Sequence, residues 1–98
     1  MINYKIHKKA HDVWGKEIQV VSALEEVNEL SVELAKILNK KRQPEIISED
    51  RLRLVDELAD VKIAIDQMIY SFDLGEAVEN RKIIKLRRLA SILAQENI

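Results

Sequence analysis

Two pairs of acidic residues, each with its members three positions apart, stand in two different segments of the chain. Glu26 and Glu29 belong to the stretch ALEEVNEL, and Glu57 and Asp60 belong to DELADV. Residues three apart share one side of an α-helix, so antiparallel packing of two such helices would bring both pairs together. Carboxylates that converge without His or Cys suit the hard cations Mg²⁺ and Mn²⁺. The spacing therefore raises the hypothesis of a divalent-metal site.

The same acids also fit simpler interpretations. Acid pairs at this spacing are common on solvated helix faces, and Arg or Lys partners or raised pKa values would also offset the repulsion within a cluster. Calcium fits less well because the chain has no EF-hand loop, and it also lacks the pattern Glu-x-x-His of di-iron bundles. The matched layout of two pairs on consecutive segments is what favours a metal site.

Apolar residues recur every three or four positions in three long segments, which is typical of helices with one apolar face. The segments cover residues 16–39, 48–72 and 76–95, and a shorter one covers 3–14. With only two glycines and one proline, the sequence predicts one all-α domain over residues 1–98. The expected architecture is a helical bundle of three long helices plus a short N-terminal helix, which stands alone or continues into the next. We expect oligomerisation to complete the bundle, because so short a chain buries little of its surface.

The apolar faces of these segments are predicted to form the core of the bundle. On a helical wheel with about 100° per residue, Glu26 and Glu57 fall at the edges of their faces, and Glu29 and Asp60 lie one step further out. Glu25 points toward the polar side. The faces comprise Val20, Leu24, Val27, Ser31, Leu34 and Leu38 in the second segment, Leu54, Leu58, Val61, Ile65, Met68 and Phe72 in the third, and Ile83, Leu86, Leu89, Ala90 and Leu93 in the fourth.

Composition and charge exclude several classes of protein. Charged residues make up 34% of the chain but the net charge is only −1, with both signs interspersed, so no general nucleic-acid-binding surface is predicted. No apolar run approaches the roughly 20 residues of a membrane span, and the N-terminus lacks the apolar centre of a secretory signal. The absence of cysteine rules out disulfides and thiolate metal sites. We expect a cytoplasmic protein with no nucleic-acid or membrane partner.

The two acid motifs resemble those of a known family. EEVNE followed by ELAD is similar to the EExxE…ExxD signature of the all-α nucleoside triphosphate pyrophosphatases, which include MazG-like proteins and dimeric dUTPases. KEIQ (16–19) resembles the glutamine-bearing start of the family's first core helix, and KKR (40–42) its basic loop. The similarity covers residues 14–90 and is greatest to the short, single-domain MazG-like proteins.

The resemblance implies a function and a set of roles. Glu26, Glu29, Glu57 and Asp60 would be ligands of Mg²⁺, with Mn²⁺ as a substitute, and Glu26 would also activate the attacking water. A nucleoside triphosphate would be cleaved between its α- and β-phosphates into the monophosphate and pyrophosphate. The enzyme would work as a homodimer or homotetramer that removes particular or damaged nucleotides from the pool.

Basic residues in two places are further candidates. Lys82 and Lys85 resemble the family's K-x-x-R element, with lysine in place of arginine, which implies that they contact phosphates. A lysine whose stem lies along apolar surface while its ammonium stays in water accounts for Lys82 equally well. Lys41 and Arg42 would close over the same phosphates from the basic loop, although an ordinary charged loop is the simpler interpretation.

Three other side-chain types have possible roles in binding. Trp14 would stack on the nucleobase and Gln19 would read its edge, although a Trp at helical spacing is more often part of a core. His7 and His11 are four residues apart, a spacing that can bind zinc. The sequence supplies no third ligand for them, so exposed histidines are the default interpretation.

Two other classes of function stay open. One is a non-enzymatic helical protein-interaction module that uses its apolar faces to bind a partner helix. The other is a regulator that binds a nucleotide through the same acids without turnover. Absence of pyrophosphate release would separate both from the hydrolase, and nucleotide binding would separate the two from each other.

Overall fold

A computed structural model describes residues 4–39 and 48–96 of the chain, and these residues form three helices. Helix α1 runs Tyr4–Asn39, α2 runs Ser48–Ser71 and α3 runs Gly75–Gln95. The described ranges contain no strand, which confirms the all-α prediction. Lys41 and Arg42 lie outside the described residues.

Helices α1 and α2 pack side by side as an antiparallel hairpin. At one end the His11 Nδ1 and the Ser71 Oγ share a hydrogen bond of 3.0 Å. At the other end the Arg53 guanidinium lies 3.5 Å from the Glu33 carboxylate. Both contacts join residues far apart in sequence, so they fix the register between the two helices.

Gly15 bends helix α1. Its φ of 78° and ψ of 173° lie outside the helical region, in a part of backbone space that only glycine occupies readily. An added Cβ would meet nothing within 4 Å, so any cost of substitution there is conformational. The leading segment predicted as a short helix is thus joined to the next one through this bend.

The surface between α1 and α2, here called the seam, is lined by residues seven apart. Gln19 and Glu33 are buried on α1, with the half-buried Glu26 midway between them. A spacing of seven keeps residues within about 20° of one another around the helix. On α2 the corresponding row is Asp50, Glu57, Ala64 and Ser71.

The predicted core faces are largely exposed in a single copy of the chain, so most of their residues do not lie between α1 and α2. Val27 and Leu34 are 51% and 49% exposed on α1, and Leu58 and Ile65 are 43% and 48% exposed on α2. Val61 is buried at the seam as predicted. The reason is rotation: one residue corresponds to about 100°, so the row that meets the neighbour is the one just before the apolar row.

The turn after α2 is closed by a Schellman motif. The Leu74 N–H donates to the Ile69 carbonyl at 2.9 Å and the Asp73 N–H to the Tyr70 carbonyl at 3.1 Å. Asp73 takes the left-handed conformation, with φ of 54°, at the position where glycine is usual. Aspartate tolerates this conformation better than most residues.

Helix α3 extends from this turn and packs little against the hairpin. Among the described residues it contacts α2 but not α1, and none of its residues is buried. Its predicted apolar face, Ile83 to Leu93, is therefore in solvent in a single copy of the chain.

Candidate metal centre

Three carboxylates from the two acid motifs converge at the middle of the seam. Glu26, Glu57 and Asp60 each offer a carboxylate oxygen, and these oxygens lie within 4.8 Å of one another. Glu26 and Glu57 are half-buried, whereas Asp60 is exposed. Their positions follow from the register, since Glu26 and Glu57 belong to the two rows that face each other and Asp60 follows Glu57 by one turn.

The environment of Glu26 and Glu57 raises the pKa of both side chains. Burial raises the pKa of Glu26, and the negative charges of Glu29 and Asp60 raise it further. Burial is also the main cause of the raised pKa of Glu57, with the charges of Glu29, Asp60 and Glu26 adding to it. One carboxylate oxygen each of Glu26 and Glu57 is buried without a hydrogen-bond partner. Two orphaned oxygens in an acidic cluster are costly unless a proton or a cation joins them.

Glu29 lies beside this cluster, but its carboxylate is not one of the three that converge. It is exposed, and its carboxylate is not one of the three whose oxygens lie within 4.8 Å of one another. Its charge nevertheless acts on Glu57 across the seam as well as on Glu26 along its own helix. Of the four metal ligands predicted from the sequence, the structure therefore brings together three, with the fourth beside them.

A second acidic group on the seam is neutralised by basic residues, and the sequence did not single it out. The Arg53 guanidinium lies 3.5 Å from the Glu33 carboxylate and also donates a hydrogen bond to the Asp50 carboxylate. The Lys36 ammonium donates to Glu33 at 3.2 Å. Asp50 also lies in the first turn of α2, where an acidic side chain interacts favourably with the helix dipole. The sequence signal for this group was a spacing of seven residues, which puts Glu33 in the same row as Glu26 and Asp50 in the same row as Glu57.

Among the described residues, no Lys or Arg side chain reaches Glu26, Glu57 and Asp60, here called the central acids, in the same way. Within residues 4–39 and 48–96, Glu26, Glu57 and Asp60 form no ion pair with Lys or Arg. Lys82 and Lys85, the predicted phosphate ligands, are exposed on α3, where they border a groove whose described lining residues all belong to that helix. Among the described residues the structure does not join them to the acids.

The two predicted base-binding residues have different surroundings. Trp14 is 53% exposed, next to the bend at Gly15, and it borders an apolar pocket of about 340 Å³ that Gln67 of α2 also lines. Gln19 is 2% exposed, one row position before Glu26, and both polar atoms of its amide lack a hydrogen-bond partner. A base would thus meet Trp14 at the surface but would reach Gln19 only inside the seam.

The two histidines are part of the hairpin's packing. His7 is buried, and the ring of His11 meets the edge of the Tyr70 ring at 5.9 Å while its Nδ1 shares the hydrogen bond with Ser71. The Tyr70 ring also contacts Tyr4, at 5.1 Å. Within the described part of the chain, no group of three metal-ligating side chains includes either histidine.

No helix among the described residues has the length and the apolar character needed to cross a membrane.

Comparison with known proteins adds no relative to these observations. No protein-family model, curated protein or solved structure matches this chain. The similarity to the MazG-like pyrophosphatases therefore rests on the two acid motifs and the segments around them.

Proposed function

We propose that this protein is a Mg²⁺-dependent nucleoside triphosphate pyrophosphohydrolase. The observation that carries the proposal is the convergence of Glu26, Glu57 and Asp60, with orphaned oxygens on the first two and no basic partner among the described residues. The resemblance of EEVNE and ELAD to the family's motifs supplies the reaction class. Cleavage between the α- and β-phosphates would release a nucleoside monophosphate and pyrophosphate.

The donor set fits the proposed cation. Its members are all carboxylates, as hard cations prefer, and they combine two half-buried side chains with one exposed side chain that leaves the site open to solvent. Glu26, Glu57 and Asp60 would hold Mg²⁺, or Mn²⁺ in its place, and Glu29 would complete the acidic surroundings. When bound, the cation neutralises charge on the phosphates and polarises a water molecule.

The chain's own residues have distinct parts in this proposal. The resemblance assigns Glu26 to accept the proton of the attacking water, and its position beside Glu57 places it within the cluster. Lys82, Lys85, Lys41 and Arg42 stay the predicted phosphate ligands, and Trp14 and Gln19 the predicted base ligands. The neutralised group of Glu33, Asp50 and Arg53 holds the register that brings the central acids together.

The test is a substrate screen with a matched pair of variants. Purified protein, Mg²⁺ and a panel of NTPs and dNTPs should yield pyrophosphate with at least one substrate. Glu57→Gln should lower that rate by at least about 100-fold, because it removes a charged metal ligand while keeping the shape of the side chain. Glu17→Gln, at an exposed glutamate of α1 outside the cluster, should leave the rate unchanged. No release of pyrophosphate by folded protein across the panel, or full activity of Glu57→Gln, would overturn the proposal.

The assembly and the location belong to the same proposal. A homodimer or homotetramer would complete the helical bundle, because α3 has no buried residue in one chain. A nucleoside triphosphate substrate would agree with the cytoplasmic location that we expect from the sequence.

One observation favours a second candidate function, the helical interaction module. The apolar face of α3 is exposed along its whole length, as in a helix that binds into the groove of a partner. In that case the central acids have no cation to bind, and Mg²⁺ should stabilise the fold no more than other salt does. A protein that binds nucleotide and Mg²⁺ without releasing pyrophosphate would instead be a regulator on the same scaffold.

A further inference from the structure

A pocket lies at the end of the hairpin where His11 and Ser71 meet, and it is here called the end pocket. Its volume is about 300 Å³. The described residues that line it come from all three helices and from the turn after α2, and they are Tyr4, Asp66, Ile69, Tyr70, Asp73 and Gly75. None of them belongs to the central acids, so the proposed reaction leaves this pocket without a role.

Two tyrosines form the aromatic wall of the end pocket. The Tyr4 and Tyr70 rings meet edge to face, with their centroids 5.1 Å apart and their planes at 88°. Burial raises the pKa of Tyr70, and a hydrogen bond with Tyr4 adds to this effect, so the Tyr70 hydroxyl stays uncharged at neutral pH. A neutral aromatic wall attracts a cation through the negative faces of its rings, as in the aromatic cages that bind ammonium ions.

Two carboxylates line the same pocket without a basic partner. Asp66 is half-buried and Asp73 is exposed, and neither side chain has an ion pair or a hydrogen bond among the described residues. Lys8 is near enough to Tyr70 to interact with it electrostatically, but its ammonium is bound by the Asp12 carboxylate at 2.7 Å. The end pocket therefore has an excess of negative charge.

The lining of the end pocket selects one class of ligand. Two carboxylates repel phosphates and other anions. Among the described residues, Asp66 and Asp73 belong to no group of three metal-ligating side chains, and a hard metal ion prefers several oxygen ligands to aromatic rings. An alkylammonium ion fits both parts of the lining, because its N–H groups donate charge-assisted hydrogen bonds to a carboxylate and its methylene groups pack on apolar surface.

We propose that the end pocket binds an aliphatic diamine, with one ammonium group on each carboxylate and the carbon chain against the two tyrosine rings and Ile69. Such a ligand supplies two positive charges, which offset both aspartates. A lysine side chain of another protein offers the same alkylammonium group but only one charge. The site does not rest on the hydrolase proposal, because the central acids take no part in its lining.

Calorimetric titration of the full chain in EDTA tests the site with putrescine, a short unbranched diamine. Butylamine has the same carbon chain with a single ammonium, so it stands for the lysine side chain and should bind at least about tenfold more weakly. Asp66→Asn should weaken putrescine binding by a similar factor. Asp56→Asn, at an exposed acid of the same helix, and Glu57→Gln, at the central acids, should both leave it unchanged.

A second pair of variants covers the case in which Asp66→Asn fails to fold. Asp73→Asn keeps a side chain that tolerates the left-handed conformation, so the turn should form while putrescine binding falls. Tyr4 is 63% exposed, so Tyr4→Leu should fold normally and bind putrescine about tenfold more weakly, whereas Tyr4→Phe keeps the ring and should retain binding.

Four results would overturn the proposal. The first is folded, unaltered chain that does not bind putrescine, and the second is butylamine that binds as tightly as putrescine. The third is equal weakening by Asp66→Asn and Asp56→Asn, which would indicate general attraction to surface charge. The fourth is binding that is lost in Glu57→Gln but kept in Asp66→Asn and Asp73→Asn, which would place the diamine at the central acids.

Discussion

Two groups of carboxylates lie one heptad apart on the same seam, and their surroundings differ in one respect. Glu33 and Asp50 are 8% and 3% exposed, and Arg53 and Lys36 together neutralise them. Glu26 and Glu57 are less buried, yet each has an orphaned oxygen and a pKa that burial and the neighbouring acids raise, and no basic residue among those described reaches them. The first group joins the two helices, and the second has an excess of negative charge that the proposed cation would offset. The two groups thus differ in the partners of their acids and not in burial alone.

The largest expected effect on stability comes from removal of the Arg53 guanidinium, which contacts both Glu33 and Asp50. Arg53→Met keeps the apolar stem of the side chain but leaves two buried carboxylates without their guanidinium, so Tm should fall by about 8 °C. Arg51→Met, two residues away on the exposed side of α2, should change Tm by less than about 2 °C. Thermal unfolding followed by circular dichroism measures both. Equal Tm values for the two variants would mean that the two acid groups do not differ as described.

Mg²⁺ should act on the central acids alone. At tenfold its dissociation constant, an ion that binds only the folded state raises the free energy of unfolding by about 1.4 kcal/mol. The rise should exceed that caused by NaCl at equal ionic strength, and it should disappear in Glu57→Gln but persist in Glu17→Gln. Urea unfolding with and without Mg²⁺ measures it. A rise of the same size in Glu57→Gln would place the bound cation elsewhere.

The same substitution should have opposite effects in the two groups when no divalent metal is present. Glu33→Gln loses charge-assisted contacts with Arg53 and Lys36 and should lower the free energy of unfolding by about 1 kcal/mol. Glu57→Gln removes a charge from a repelling cluster and should raise the free energy of unfolding at pH 7. Urea unfolding in EDTA compares them. Destabilisation by both variants would show that the central acids also have a stabilising partner.

The smallest expected effect is the pH dependence that Glu26 and Glu57 contribute to stability. Because the folded state raises the pKa of Glu26 and Glu57 above the ordinary value of 4.5, it holds their protons more tightly than the unfolded chain does. Their contribution to stability is therefore full below pH 4.5 and declines as pH rises through the raised values. In EDTA, the stability of Glu57→Gln relative to the unaltered chain should grow between pH 4.5 and pH 7. A constant difference would contradict the raised pKa of Glu57.

Part of this arrangement could be read from the sequence. Apolar residues at helical spacing predicted three long helices, and the structure confirms an all-α fold with elements close to those bounds. The paired spacing of Glu26 with Glu29 and of Glu57 with Asp60 predicted that acids of two helices would meet. That prediction needed only the 100° step of a helix and an antiparallel turn, both of which are local properties.

The rotation of each helix about its own axis could not be read in the same way. The sequence gives the angle between Glu26 and Val27 on one helix, but not which of them faces α2. We expected Val27 and Leu34 in the core and the acids at its edge. The structure instead places Glu26 and Glu33 toward α2 and leaves the apolar row exposed. An apolar row gains the same free energy against a second copy as against its own chain, so its presence does not specify which one it meets.

The amino-acid sequence by itself thus determined the helices, the chemical character of their faces and the candidate acids. The tertiary structure decided which faces meet: the register that gives Glu33 and Asp50 the guanidinium of Arg53, and the rotation that brings Glu26, Glu57 and Asp60 together without one. The physical reason is that helical periodicity is set by backbone hydrogen bonds within about four residues, whereas rotation and register depend on side chains that are far apart in sequence and meet only when the helices pack.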